Sequence, residues 1–271
     1  MKAKSIVLFS LFILLCSGIA HAGFVRSFLS VKIALNGDGS ANVREELRFI
    51  MDDVYSVDSY SVWIKSANDL SGWRDRTKLG DIRYHVDATQ VSIKNTRLQP
   101  RDPDTCNYER SKCYGTFIIE YQVEASNNNT KGLIWIEKYN KPRTINYRLN
   151  KGALSFESSF AGEPYLPELT SLEITLPKDT QSITAEPKPV EYDDKIPNGA
   201  DKLTWQGYVS FRSYDLSFEI KESLFSEVNY FFKSLQDATI GWMTSKEGII
   251  VTLAIVIILA SYLVLQGRKQ E

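Results

Sequence analysis

The chain has 271 residues, 43% of them hydrophobic and 24% charged, and its 32 basic and 33 acidic residues nearly cancel. No basic footprint for nucleic acid is present, which excludes a nucleic-acid partner. With the two apolar termini set aside, roughly 220 residues remain, enough for one large domain or two small ones.

Residues 1–22 follow the order of an export signal. Lys2 and Lys4 give a positive start, residues 6–16 are almost unbroken apolar, and Ala20-His21-Ala22 gives a small-x-small cleavage pattern. Cleavage is expected after Ala22, with an uncleaved anchor as the alternative. Leu15 is too bulky before Cys16 for a lipoprotein site. Between this signal and the distal apolar segment the balance turns mildly acidic. Removing Lys2, Lys4, Arg268 and Lys269 from 32 cations, and Glu271 from 33 anions, leaves 28 and 32.

Residues 28–35 alternate as a strand does, residues 36–40 (Asn-Gly-Asp-Gly-Ser) supply a turn, and 41–51 resume the extended pattern. That reads as a hairpin. A calcium loop fails here, because Ala41 stands where glycine is needed and Leu47 where the bidentate glutamate belongs. Residues 53–64, rich in Val, Tyr and Trp, predict one or two further strands. Residues 68–79 predict a helix with Asn68 as N-cap and Gly80 just past its end.

Residues 82–93 return to period two, and 99–112 are polar, proline-bearing and loop-like. Residues 115–125 form a strand with Phe117, Ile119, Tyr121 and Val123 on one face. Cys106 and Cys113 are an even pair in an exported segment and are expected to bond to each other, pinning a short hairpin or loop. A metal reading of this pair lacks further ligands. Asn128 opens an Asn-Asn-Thr glycosylation sequon, usable only in a host that glycosylates exported chains.

Residues 133–139 and 144–149 predict two strands across a turn, 169–176 another, and 183–201 a long proline- and acid-rich connection. Residues 202–205, 208–211 and 214–220 close the region. Ten or so short strands between turn signals predict a mainly β fold. It is either one β-sandwich ectodomain or two sandwich-like halves, 23–126 and 127–222.

The period then changes. Leu224, Val228, Phe231, Leu235, Ala238 and Trp242 recur at spacings of four and three, widened by Phe225, Phe232 and Met243. Residues 223–247 therefore predict an amphipathic juxtamembrane helix with Ser223 as N-cap. Its stripe suits lipid headgroups, a partner helix or its own β domain, and all three readings stay open. Residues 248–265 carry no charge. As a helix of 18 residues they extend about 27 Å, close to the hydrocarbon thickness of a bilayer. Arg268 and Lys269 place the tail, 266–271, on the cytoplasmic side. The expectation is a single-pass membrane protein with its N-terminus outside the cytoplasm, at a cell surface, in a periplasm or in an organelle lumen.

No catalytic constellation stands out. His85 is the one histidine beyond the signal, and no phosphate loop, GxSxG elbow or HExxH occurs. The acidic neighbours Glu45-Glu46, Asp52-Asp53, Asp102/Asp104 and Asp193-Asp194 read as solvated charges.

One family resemblance is legible. The run 31–36, then Asp38-Gly39-Ser40 and 41–49 with Val43-Arg44-Glu45, resembles the opening strand, D-G-S turn and V-x-E strand of the DUF2207 family of membrane proteins. Residues 115–123, Leu133-Ile134-Trp135 and 172–177 are similar to later blocks. The Gly-Ile-Tyr-Arg-like block that follows the family's second strand has no counterpart here. The resemblance implies an exported β domain tethered to a membrane, and it brings no catalytic residues.

The expected function is non-enzymatic. The chain is read as a tethered extracytoplasmic β protein that binds or scaffolds another membrane or envelope protein, with the lipid bilayer as second partner and no cofactor or metal. The alternatives are a surface hydrolase acting on glycan through a carboxylate pair, and a self-assembling coat component.

Overall fold

The computed structural model describes residues 23–221, except 67–68, 108–111, 127–130, 139–143, 161 and 213, together with Val228 and Gln236 as single helical positions. The chain divides into two compact units, residues 1–137 with 146–220, and residues 138–145 with 221–271. The second unit holds few described residues. The predicted signal (1–22), Asn128, and the span 248–265 with its tail lie outside the described residues. So do Leu224, Phe225, Phe231, Phe232, Leu235 and Trp242. Val228 is helical and exposed. Among the described residues, no helix is long and apolar enough to cross a membrane.

The first unit is mainly β. Its strands begin with β1 (Phe24–Leu35), β2 (Ala41–Met51), β3 (Ile93–Asn107), β4 (Lys112–Val123) and β5 (Ile134–Lys138). They continue with β6 (Thr144–Leu149), β7 (Glu157–Ser158), β8 (Pro164–Leu166), β9 (Thr170–Thr175) and β10 (Thr180–Glu186). They close with β11 (Lys202–Gln206), β12 (Val209–Ser210) and β13 (Asp215–Lys221). Two helices, α1 (Val54–Trp63) and α2 (Leu70–Thr77), and a 3-10 turn (Lys151–Ala153) complete the elements.

Three sheets result: six strands in the order β11-β9-β1-β2-β4-β3, four in the order β10-β13-β6-β5, and three in the order β12-β8-β7. The six-stranded sheet is antiparallel except where β9 runs parallel to β1. The predicted hairpin is β1–β2, paired from Phe24↔Met51 to Leu35↔Ala41. Its turn is closed by Asn36 and Ser40 backbone bonds, and the Ser40 N–H donates to Asp38 Oδ1 at 2.9 Å. Gly39 sits there at φ +85°, where other residues are strained.

Alternation sends one face of this sheet inward. Leu29, Val31, Ile33, Leu47, Phe49, Leu172, Ile174, Leu203 and Trp205 are all buried. Phe117, Ile119, Tyr121 and Val123 join them on β4, as their spacing predicts. Gly115 stands opposite Phe49, and a Cβ there would lie 2.3 Å from the Phe49 ring. The aromatic ring thus fills the space that a glycine leaves in the neighbouring strand. The Cys106–Cys113 disulfide is formed and ties β3 to β4 beside the pair Asn107↔Lys112.

Several expectations are corrected. Residues 53–64 are α1 rather than strand. Asp53 caps it, accepting from the Ser56 N–H at 2.6 Å, and buried Ser56 and Tyr60 anchor it. Capping and tertiary burial override the β propensity of Val, Tyr and Trp. The next helix is capped by Asp69, not Asn68, and ends at Lys78 in the left-handed conformation rather than at Gly80.

Residues 82–93 make turns and one bridge, Val86↔Leu154, before β3 begins at Ile93. Residues 93–107 are strand, although Pro100 and Pro103 mark them as loop. This strand is the sheet edge, where a missing N–H costs no ladder bond, and three register shifts absorb its irregularity. The connection expected over 183–201 starts only after β10 ends at Glu186.

An aromatic chain holds the helices to the sheet: Phe49–Tyr60 at 5.3 Å, Tyr60–Trp73 at 5.6 Å and Trp73–Phe117 at 5.0 Å between centroids. Trp73 is fully buried. Trp73→Ala is expected to cost about 3–5 kcal/mol in urea unfolding; a loss below about 1 kcal/mol would show that this layer does not hold α2 in place.

Candidate functional site: a two-faced sheet

The two faces of the six-stranded sheet differ in chemistry, and adjacent residues 45 and 46 show why. Neighbours on a strand point to opposite faces. Glu46 lies on the outer face with Arg44 and Arg48, at 3.8 and 3.0 Å. Glu45 is 1% exposed, at the centre of the apolar inner face. It is not a solvated charge, and the two glutamates cannot work as a pair.

An isolated carboxylate in such a place is costly unless it is hydrogen-bonded and paired. Glu45 has both. Oε1 accepts from the His85 backbone N–H at 2.8 Å and from the Tyr121 hydroxyl at 2.5 Å, and Oε2 lies 2.7 Å from His85 Nδ1. The other ring nitrogen of His85 lies 3.9 Å from Asp81 Oδ1. Asp81 Oδ2 accepts from Arg26 Nη1 at 3.0 Å. Arg26 also reaches Glu157 at 3.4 Å, the Glu168 carbonyl at 2.5 Å and Thr170 Oγ1 at 3.3 Å. A β-bulge puts Arg26 there. The register of β1 shifts between Arg26 and Phe28, which turns Arg26 to the inner face beside Phe49.

Burial pulls the His85 pKa down, but the Glu45 carboxylate and then Asp81 outweigh it and hold the imidazole above its ordinary value. Burial lifts Asp81, and the nearby His85 ring together with the hydrogen bond and charge of Arg26 more than offset this, holding it below the usual range. Burial, then the Glu45 charge, push the Tyr121 phenol well up, so it remains a neutral donor. The far nitrogen of His85 faces Asp81, and the residue is 1% exposed. The network is closed to substrate, and its effect is to lock β2 to the segment at 81–85 and to β1, β7 and β9. His85 gave no sign of this from spacing, because Glu45 is 40 residues away.

The outer face is open. Register sorts it into rows across the strands. Val25 pairs with Ile50 and Ile50 with Tyr114, an apolar row with Val25 52% and Tyr114 44% exposed. Beside it α1 opens with exposed Val54 and Tyr55, directly after β2 ends at Met51. Further along lies a charged row: Glu173, Lys32, Arg44, Glu120 and Arg97, from β9 to β3. Next comes a neutral row, Thr175, Ala34, Asn42 and Gln122. Lys32 is 3.9 Å from Glu173, and Arg44 pairs closely with Glu120. Small Ala34 floors a shallow concavity of about 600 Å3 between these rows.

The other predicted acids take separate places. Asp53 is a helix cap, Asp102 and Asp104 are exposed on β3, and Asp193 and Asp194 are exposed in the connection after β10. No group of three or more metal-ligating side chains forms among the described residues. No family model matches the chain, and no curated protein is similar to it.

The network predicts a defined pH window. His85, with its raised folded-state pKa, contributes fully below its unfolded value of about 6.5, and this is lost as pH rises through the folded value. Asp81, with its lowered pKa, contributes above about 3.9 and loses this as pH falls. Urea midpoints of the wild type are therefore expected to fall as pH rises from neutrality, and those of His85→Gln to lack this decline. A wild-type midpoint that stays flat or rises as pH is raised from neutrality contradicts the raised His85 pKa.

Proposed function

We propose that the chain is a non-enzymatic, extracytoplasmic protein, tethered by 248–265, whose β body binds another membrane or envelope protein. In this reading the six- and four-stranded sheets form a β-sandwich. The Tyr147 hydroxyl, on β6, donates to the Gly37 carbonyl in the β1–β2 turn at 2.7 Å, which supports that arrangement. The likeness of 31–49 to the DUF2207 opening hairpin supports the same exported, tethered placement. Residues 223–247 supply the second contact, with the bilayer or a partner helix.

The observation that carries the reading is the apolar row Val25, Ile50 and Tyr114. Exposed apolar residues scattered singly need no explanation, but a row that exposes both Val25 and Tyr114, beside Phe28 and on a face that elsewhere presents mostly charged and polar groups, is the chemistry of a protein contact. A glycan hydrolase fits less well. The two carboxylates lining the concavity, Glu120 and Glu173, stand three strand spacings apart in one row. That is about 14 Å, wider than the 5–10 Å glycosidases use. Each is also paired with a cation.

Crosslinking of the full chain in its native membrane, followed by mild detergent extraction, is expected to recover another membrane or envelope protein. Val25→Asp combined with Tyr114→Asp should abolish that recovery while leaving the chain folded. A strictly solitary monomer contradicts the proposal, and regular self-assembly would instead favour a coat component.

A further inference from the structure

The concavity around Ala34 has a different chemistry from the apolar row. Its floor is a methyl group, and its walls are long polar side chains: Lys32, Arg44, Asn42, Gln122 and Arg97. Two planar amides are already joined, Asn95 Nδ2 donating to Gln122 Oε1 at 2.6 Å. Three cations face two carboxylates in the charged row. Arg97 is exposed and holds no ion pair among the described residues. The Lys32–Glu173 pair is long, Lys32 is exposed, and Glu173 keeps a second cation in Lys202 at 3.8 Å; surface pairs contribute only about 0–1 kcal/mol, so a ligand anion can take over Lys32.

The rows cross from β9 to β3 over four strand spacings, about 19 Å. Successive strands thus present donors at a repeat comparable to the length of one pyranose unit. A neutral row of amides and hydroxyl beside a row with excess cation matches a chain of hydroxyls with regularly spaced carboxylates. Stacked nucleobases would need an aromatic platform, and no aromatic side chain stands in either row.

We propose that this concavity binds an acidic polysaccharide, with Arg97 and Lys32 meeting its carboxylates and Asn42, Asn95 and Gln122 its hydroxyls. The assignment is independent of the protein contact at Val25 and Tyr114, and relies on the extracytoplasmic placement only for access to such a glycan.

The test uses the full chain in a non-glycosidic detergent with three probes: polygalacturonate, neutral dextran and poly-glutamate. Polygalacturonate is expected to bind, dextran not to bind, and poly-glutamate to bind about tenfold more weakly or worse. Arg97→Ala and Ala34→Phe should each weaken polygalacturonate binding by about tenfold or more with thermal stability unchanged. Tyr114→Asp should leave it intact. Equal binding of poly-glutamate and polygalacturonate, full binding by both concavity variants, or no binding by wild type overturns the inference. Recovery of a protein partner that is lost with Tyr114→Asp, alongside any of these, leaves the proposed function standing.

Discussion

A carboxylate in the middle of an apolar sheet face is the constraint around which this unit is organised. Glu45 occupies the central strand pair, between Val43 and Leu47, where every neighbour of the same parity is apolar. It cannot be left unpaired there without a large desolvation cost. Its partners must come from elsewhere in the chain, and they fix the packing of everything they belong to. His85 brings in the segment after α2, Tyr121 belongs to β4, and Asp81 extends the chain of charges to Arg26 on β1. From Arg26 the contacts pass to Glu157, Glu168 and Thr170, beside β7 and β9. Breaking one partner of such a set typically costs about 3–5 kcal/mol, because the remaining charge stays buried.

This arrangement divides the labour between the sheet faces. The inner face is committed to packing, and its one histidine is enclosed by carboxylates and an aromatic neighbour, Phe156 at 5.4 Å. The outer face bears the groups that can meet another molecule. Its charged residues pair both along β2 and across strands, and the long Lys32–Glu173 pair is the most readily exchanged. The edge strand β3 carries two prolines and register shifts, and these discourage further strands from adding at that edge. Recognition on this sheet is therefore expected through its face rather than its edge.

Much of this was legible in sequence, for physical reasons that differ by element. The β1–β2 hairpin was readable because a glycine-rich turn separates two alternating runs. The disulfide was readable because two cysteines, seven residues apart, remain once the predicted signal is set aside. Glu45 was also readable in principle: it stands at the same parity as Ala41, Val43, Leu47 and Phe49, and a carboxylate in that phase must be buried. Pairing it by adjacency with Glu46 hid that signal.

Other elements were not legible locally. The helix α1 is β-rich in composition and is decided by its Asp53 cap and by Tyr60, whose hydroxyl reaches the carbonyls of Arg101 and Thr116. The strand β3 is proline-bearing and is allowed only because it falls at an edge, a property of the whole sheet. The partners of His85 and the rows of the outer face depend on register between distant strands, which spacing within one segment does not encode.

The account rests on two carboxylates flanking the His85 ring and holding its pKa above the ordinary value. The direct measurement is the nitrogen-15 NMR signature of its ring in the full chain, with the signal assigned through His85→Gln. The account predicts that the ring nitrogens titrate above the ordinary histidine range. A neutral single tautomer at neutral pH, protonating only in acid, would contradict it.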